Sequence, residues 1–138
     1  MLKAPSEQTK DIGLLIARVG LGLSFVLFHG WPKITGGAET WQALGEAVGL
    51  PLPVFFGFVA TVIEFLGGLL LIVGLLTRPV SLLLFLTMLG AMWSHIIEAE
   101  RFAWPLEMGI VFLALYFLGA GRYSLDAKLF GQAQPTPA

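Results

Sequence analysis

The sequence predicts an all-α membrane protein: an antiparallel four-helix transmembrane bundle with a short interfacial helix between its first and second spans. Three observations carry this. Hydrophobic residues make up 57% of the 138-residue chain and charged residues only 12%, for a mean hydropathy of +0.84. An average soluble domain is about 45–50% apolar and about 25% charged. One domain of this length leaves too much of its surface exposed to hide that apolar area from water, so most of it must face lipid. Four apolar stretches each approach the roughly 20 residues that a spanning helix needs. Finally, Pro53, Pro79 and Pro105 stand in the first turns of the last three stretches, where a missing N–H is harmless.

Taken in order, the first span runs from about Ile12 to His29 and is closed or kinked by Pro32. Trp41, Leu44 and Val48 then recur at helical spacing, which predicts the short interfacial helix. The second span runs from about Pro53 to Leu76 and the third from Pro79 to Ile97. The turn between them is so short that they must be antiparallel neighbours. The fourth runs from about Trp104 to Leu118. The expected organisation is a cytoplasmic segment at 1–11, the transmembrane domain at 12–127, and a disordered tail at 128–138. The apolar run after the polar start is too long for a signal peptide, and no cleavage site follows it. Lys3, Lys10, Arg78, Arg122 and Lys128 fall on one side of the spans, against Lys33 and Arg101 on the other. That asymmetry predicts a multi-pass protein of a bacterial-type inner membrane with both termini cytoplasmic. Trp31, Trp41, Trp93 and Trp104 then form an aromatic belt at the opposite interface.

Composition also excludes chemistry. A net charge of −1 without a Lys/Arg stripe argues against nucleic acid. The lack of cysteine removes disulfides, iron–sulfur clusters and thiol redox, and two histidines fall short of a three-ligand zinc site. No metal site is expected.

Ionisable residues inside a span are costly, so each is a candidate for function. Arg18 lies two turns into the first span, and Glu64 lies about 16 Å into the second. They are expected to pair across helices one and two, as a structural ion pair or as part of a polar lining. His29 and Lys33 close the first span, His95 and Glu98 end the third, and Glu107 opens the fourth. Each has a bland reading. A carboxylate at Glu107 suits a helix N-terminus, Glu98 beside Glu100 and Arg101 reads as a solvated loop end, and interfacial histidines touch headgroups or tryptophans. The sharper reading joins His29, Lys33, His95 and Glu107 in one pocket in the outer half of the bundle. There the histidines could relay protons or bond a quinone carbonyl. Haem held between His29 and His95 is the lesser alternative. The pairs Gly13/Ala17 and Gly20/Ser24, and Gly67-Gly68, read as helix-packing residues.

In order and spacing the sequence resembles the DoxX family of small four-helix membrane proteins. The features are Arg18-Val-Gly20, His29-Gly30-Trp31-Pro32-Lys33, Glu64-Phe-Leu-Gly67-Gly68 and Gly74-Leu-Leu-Thr77-Arg78, then Glu107, and Gly119 through Asp126 near the end. The likeness covers residues 12 to 127. Members are associated with membrane oxidoreductase systems, among them a thiosulfate:quinone oxidoreductase and a redox complex working with superoxide dismutase and a sulfurtransferase. The resemblance therefore implies a membrane subunit of an oxidoreductase system, in contact with the bilayer, redox-enzyme partners or further copies of itself. In that role Arg18, Glu64 and Glu107 would set the polar lining for a quinone or small polar substrate. The competing classes are a non-catalytic anchor or assembly partner and a small-solute transporter.

Overall fold

The computed structural model describes residues 4–131, and among these every regular element is helical. Helix α1 (Glu7–Ser24) starts five residues ahead of the expected span because Ser6 caps it, its hydroxyl accepting from the Thr9 N–H at 3.2 Å. The chain does not stop at Pro32. It passes through a π-helical segment (Phe25–Gly30), in which the Trp31 N–H donates to the Val26 carbonyl five residues back, and continues as α2 (Trp31–Val48). Proline inside a helix lacks an N–H and crowds the carbonyl four residues earlier. Here that carbonyl belongs to Phe28, inside the wider π turn, which accommodates the ring. The first helix thus runs a turn beyond its expected end, carrying Lys33 with it.

The break comes at Gly37, whose φ of 67° and ψ of −159° only glycine adopts readily. Beyond it the second half of α2 runs back along α3 (Pro53–Val73). The two backbones nearly touch: a Cβ on Gly57 would overlap the Trp41 carbonyl, and one on Gly45 would overlap Pro53. The segment expected as an interfacial helix is therefore helical and is packed tightly onto α3.

Helix α3 has α1, α2 and α4 (Thr77–Ile97) around it, and α5 (Ala103–Leu118) packs along α4 and reaches the first helix at Phe25 through Phe112. Helices α1 and α3 meet where a Cβ on Gly22 would lie 2.6 Å from the Gly68 carbonyl oxygen, and one on Gly30 2.6 Å from Phe65 Cα. Gly13 and Gly20, by contrast, face open space. The core is Phe25, Leu71, Leu84, Met88, Phe112 and Leu115. Three helical stretches are long and apolar enough to span a bilayer; α5, at 16 residues, reaches about 24 Å.

Arg18 is fully buried, but it does not pair with Glu64. Its guanidinium donates to the carbonyls of Leu71 at 3.0 Å and Ile72 at 3.4 Å, and to that of Tyr123. The expected ion pair fails on depth, because Leu71 lies seven residues, or about 10 Å, along α3 from Glu64. At that level α3 ends; the Gly74 N–H already bonds the Leu71 carbonyl, and Arg18 uses that oxygen's remaining acceptor capacity and the Ile72 carbonyl. The same end is tied by two carboxylates. Asp126 accepts from the Leu76 and Thr77 N–H groups at 2.7 and 2.8 Å, capping α4, and Asp11 accepts from the Arg122 N–H at 2.9 Å. Helix α6 (Leu125–Phe130) follows, so Lys128–Phe130, expected in the tail, are helical; residues 132–138 lie outside the described ones.

These contacts separate two kinds of glycine. Gly57→Ala forces a Cβ into the Trp41 backbone and is expected to destabilise the protein by roughly 1–3 kcal/mol. Gly20→Ala fills open space within a helix and is expected to be neutral or to stabilise by up to about 1 kcal/mol. Thermal melting of the purified variants in one detergent measures both.

Candidate functional site

Above the Arg18 level the bundle encloses a cavity of about 470 Å³ between α2, α3 and α4. Most of its wall is apolar. Its polar groups come from separate elements: His29 from the π segment, Lys33 from α2, Glu64 from α3 and His95 from α4, with Trp104 of α5 beside them. Four of the six candidate residues are thus gathered in one place. Arg18 belongs to the opposite end of the bundle. Glu107 lies on the exposed surface of α5 and does not line the cavity.

Glu64 is 3% exposed and its carboxylate is ion-paired with the Lys33 ammonium. Lys33 reaches it because the π segment carries the first helix past Pro32 instead of releasing the chain into a loop. At the helix break at Gly37 the Trp41 indole N–H donates to the Lys33 carbonyl at 3.0 Å. One residue is therefore fixed from both ends, its backbone by Trp41 and its side chain by Glu64. From sequence alone Lys33 falls beyond the helix, because Pro32 ordinarily ends one. A proline preceded by an aromatic-rich, glycine-closed stretch was the signal available for the π turn, and it is weak.

The two imidazoles converge on one indole. The His29 ring stacks on Trp104 with centroids 5.2 Å apart and an 18° interplanar angle, and it meets Phe25 at 4.7 Å. The His95 ring stands edge-on to the same indole at 5.9 Å. His95 Nδ1 lies 2.9 Å from a Glu100 carboxylate oxygen, in ion-pair range but off the line of a hydrogen bond. Among the described residues no three of His, Asp and Glu gather as metal ligands.

Chemically, the cavity offers an ammonium donor, a carboxylate acceptor and two imidazoles that can do either, within a largely apolar wall. Such a set can hold a small molecule with a few polar atoms. The pair itself is open to test. Removing one partner of a buried pair leaves an uncompensated charge, at roughly 3–5 kcal/mol. Lys33→Met and Glu64→Gln are each expected to lower the melting temperature, and the double variant by less than the sum of the two. Additive losses would show that the residues are not coupled.

The chain matches the DoxX family over residues 13–96. It is 36% identical to the inner membrane protein YqjF of Escherichia coli (strain K12), across 89% of this chain and 96% of that one. It is 40% identical to the "Putative oxidoreductase CatD" of Bacillus subtilis (strain 168), across 87% and 89%. The inner membrane protein YphA of Escherichia coli (strain K12) is 31% identical, across 86% and 91%. No solved structure matches. With matches along nearly the full length of each relative, on a bundle of apolar helices, the chain is a membrane protein of the DoxX family.

Proposed function

We propose that this protein is a membrane component of an oxidoreductase system that binds a quinone in the cavity between α2, α3 and α4. The observation that carries the reading is the cavity itself: an apolar enclosure of about 470 Å³ with Lys33, Glu64, His29 and His95 converging at one side. A quinone ring is flat and apolar with two carbonyl acceptors, and its quinol form turns those oxygens into donors. The lysine ammonium answers the first form and the Glu64 carboxylate the second, while the imidazoles can serve both. The indole of Trp104, already stacked on His29, supplies a flat aromatic neighbour. The name of the Bacillus subtilis relative supports the oxidoreductase part of the reading.

The chain brings no redox centre of its own side chains, having no cysteine. In this reading it positions the quinone and moves protons, while electrons come from a partner enzyme. The same reading places the protein in an inner membrane, as the names of the Escherichia coli relatives suggest. It also sets the Arg18 end, with Lys10, Arg78, Arg122 and Lys128, at the cytoplasm.

Two measurements test this. Protein purified in mild detergent and extracted into organic solvent is expected to release quinone in near-stoichiometric amount, and His29→Ala and Lys33→Met to release at least fivefold less at matched melting temperature. Wild-type protein free of quinone that also binds none when it is supplied would leave the anchor reading in its place. For orientation, a reporter active only in the cytoplasm, fused to the C-terminus, is expected to give signal; a stable but silent fusion would reverse the topology.

A further inference from the structure

The wall of the cavity is not closed. Leu83 and Leu86 of α4 line it and yet are 45% and 52% exposed, and Phe56 of α3 does the same at 37%. Residues that face both the interior and the surroundings mark an opening. Its depth follows from the helix. Helix α4 is 21 residues long, or about 31 Å, close to the hydrocarbon thickness of a bilayer. Leu83 and Leu86 lie about 9 and 14 Å from its start, near mid-height. Glu64 sits about 16 Å into α3, at a similar level. The opening therefore faces acyl chains, not water.

The lining combines two chemistries. Charged and imidazole groups come from the π segment, α2, α3 and α4, and Leu83 and Leu86 of α4 supply an apolar stretch with Thr87 and Gly90 close by. The Thr87 hydroxyl is already satisfied by the Leu84 carbonyl at 2.8 Å, so it presents no free donor to an occupant. Gly90 adds room, since a Cβ built on it would meet nothing within 4 Å.

We infer that the occupant is a lipid-dissolved amphiphile whose apolar tail leaves the cavity sideways, past Gly90, Leu86 and Leu83, into the bilayer. This rests on the reading of the cavity as a ligand site and adds to it the class of ligand and the determinant of tail binding. A water-soluble substrate would have no route through an opening at this depth. A head group alone would leave the leucine-lined stretch of the cavity empty, and that stretch would contribute nothing to affinity. Gly90 is the position where bulk closes the tail path without touching the rest of the fold.

The test uses the full chain in nanodiscs and two probes, a decyl-tailed benzoquinone and the same benzoquinone without its tail, with binding read as quenching of tryptophan emission. Gly90→Phe is expected to weaken the tailed probe at least tenfold and the tailless one less than twofold. Leu86→Phe, a change at a half-exposed position that leaves the tryptophan signal unaltered, is expected to act in the same direction and stands in should Gly90→Phe lower the melting temperature. Equal effects on both probes, or no effect on either, would overturn the lateral tail path while leaving the ligand site intact. Failure of wild-type protein to bind either probe would instead remove the proposed function, and this inference with it.

Discussion

A carboxylate at mid-height in an apolar bundle needs a cation within reach, and the outer half of this fold is arranged around supplying one to Glu64. An isolated charge there would cost far more than the few kcal/mol by which a fold is stable. The cation comes from Lys33, and for Lys33 to arrive the first helix has to pass Pro32 without breaking. The π segment at Phe25–Gly30 makes that passage, and Gly37 then breaks the helix where the chain must turn back. Once Gly37 turns the chain, the Trp41 indole bonds the Lys33 carbonyl and α2 is laid along α3 through Gly45 and Gly57. The cavity is the space this detour leaves.

The other end solves a similar problem by different means. Arg18 is also buried, yet no carboxylate bonds it; its guanidinium is held by three main-chain carbonyls, two at the end of α3 and one at Tyr123. A guanidinium carries five donors in a fixed fork, so it can satisfy several helix-end acceptors at once, which a lysine cannot do as well. The result joins α1, α3 and the segment before α6 in a single contact. Asp126 and Asp11 add caps to the same segment, so the closing residues Gly119–Asp126 act as a plate across this end.

Much of this was legible in the sequence, and the parts that were not share a cause. Span lengths and proline positions located α3, α4 and α5 to within a few residues, because apolar length and a missing N–H are local properties. The extension of the first helix was not, since it depends on a π turn tolerating Pro32. Reach alone pairs Glu64 with Arg18 in the sequence, whereas Arg18 meets α3 seven residues further on. Depth alone puts Glu107 in the pocket, whereas it lies on the exposed surface of α5. A helix meant for lipid is apolar on every side, so its sequence carries little record of which face points inward. The aromatic cluster was partly readable. Trp104 and both histidines were assigned to one interface, but the stacking of His29 on Trp104 needed the fold.

The two ends also differ in how firmly they are fastened, and the difference bears on what the cavity can do. The Arg18 end is held by buried hydrogen bonds of a charged group, which open only at a large cost. The second half of α2, which covers the cavity, is held to α3 by backbone contact at Gly45 and Gly57 and by Trp41 set edge-on against Phe58, and the Trp41 indole bonds the Lys33 carbonyl across the break. It is also flanked by left-handed or extended glycines, Gly37 and Gly49. Contacts of that kind are dispersive and short in range, so a small separation forfeits much of them. The Arg18 end is thus fixed by hydrogen bonds of a buried charge, and the cover of the cavity by close packing on α3. That packing holds Lys33 against Glu64 and keeps the cavity between α2, α3 and α4 in shape.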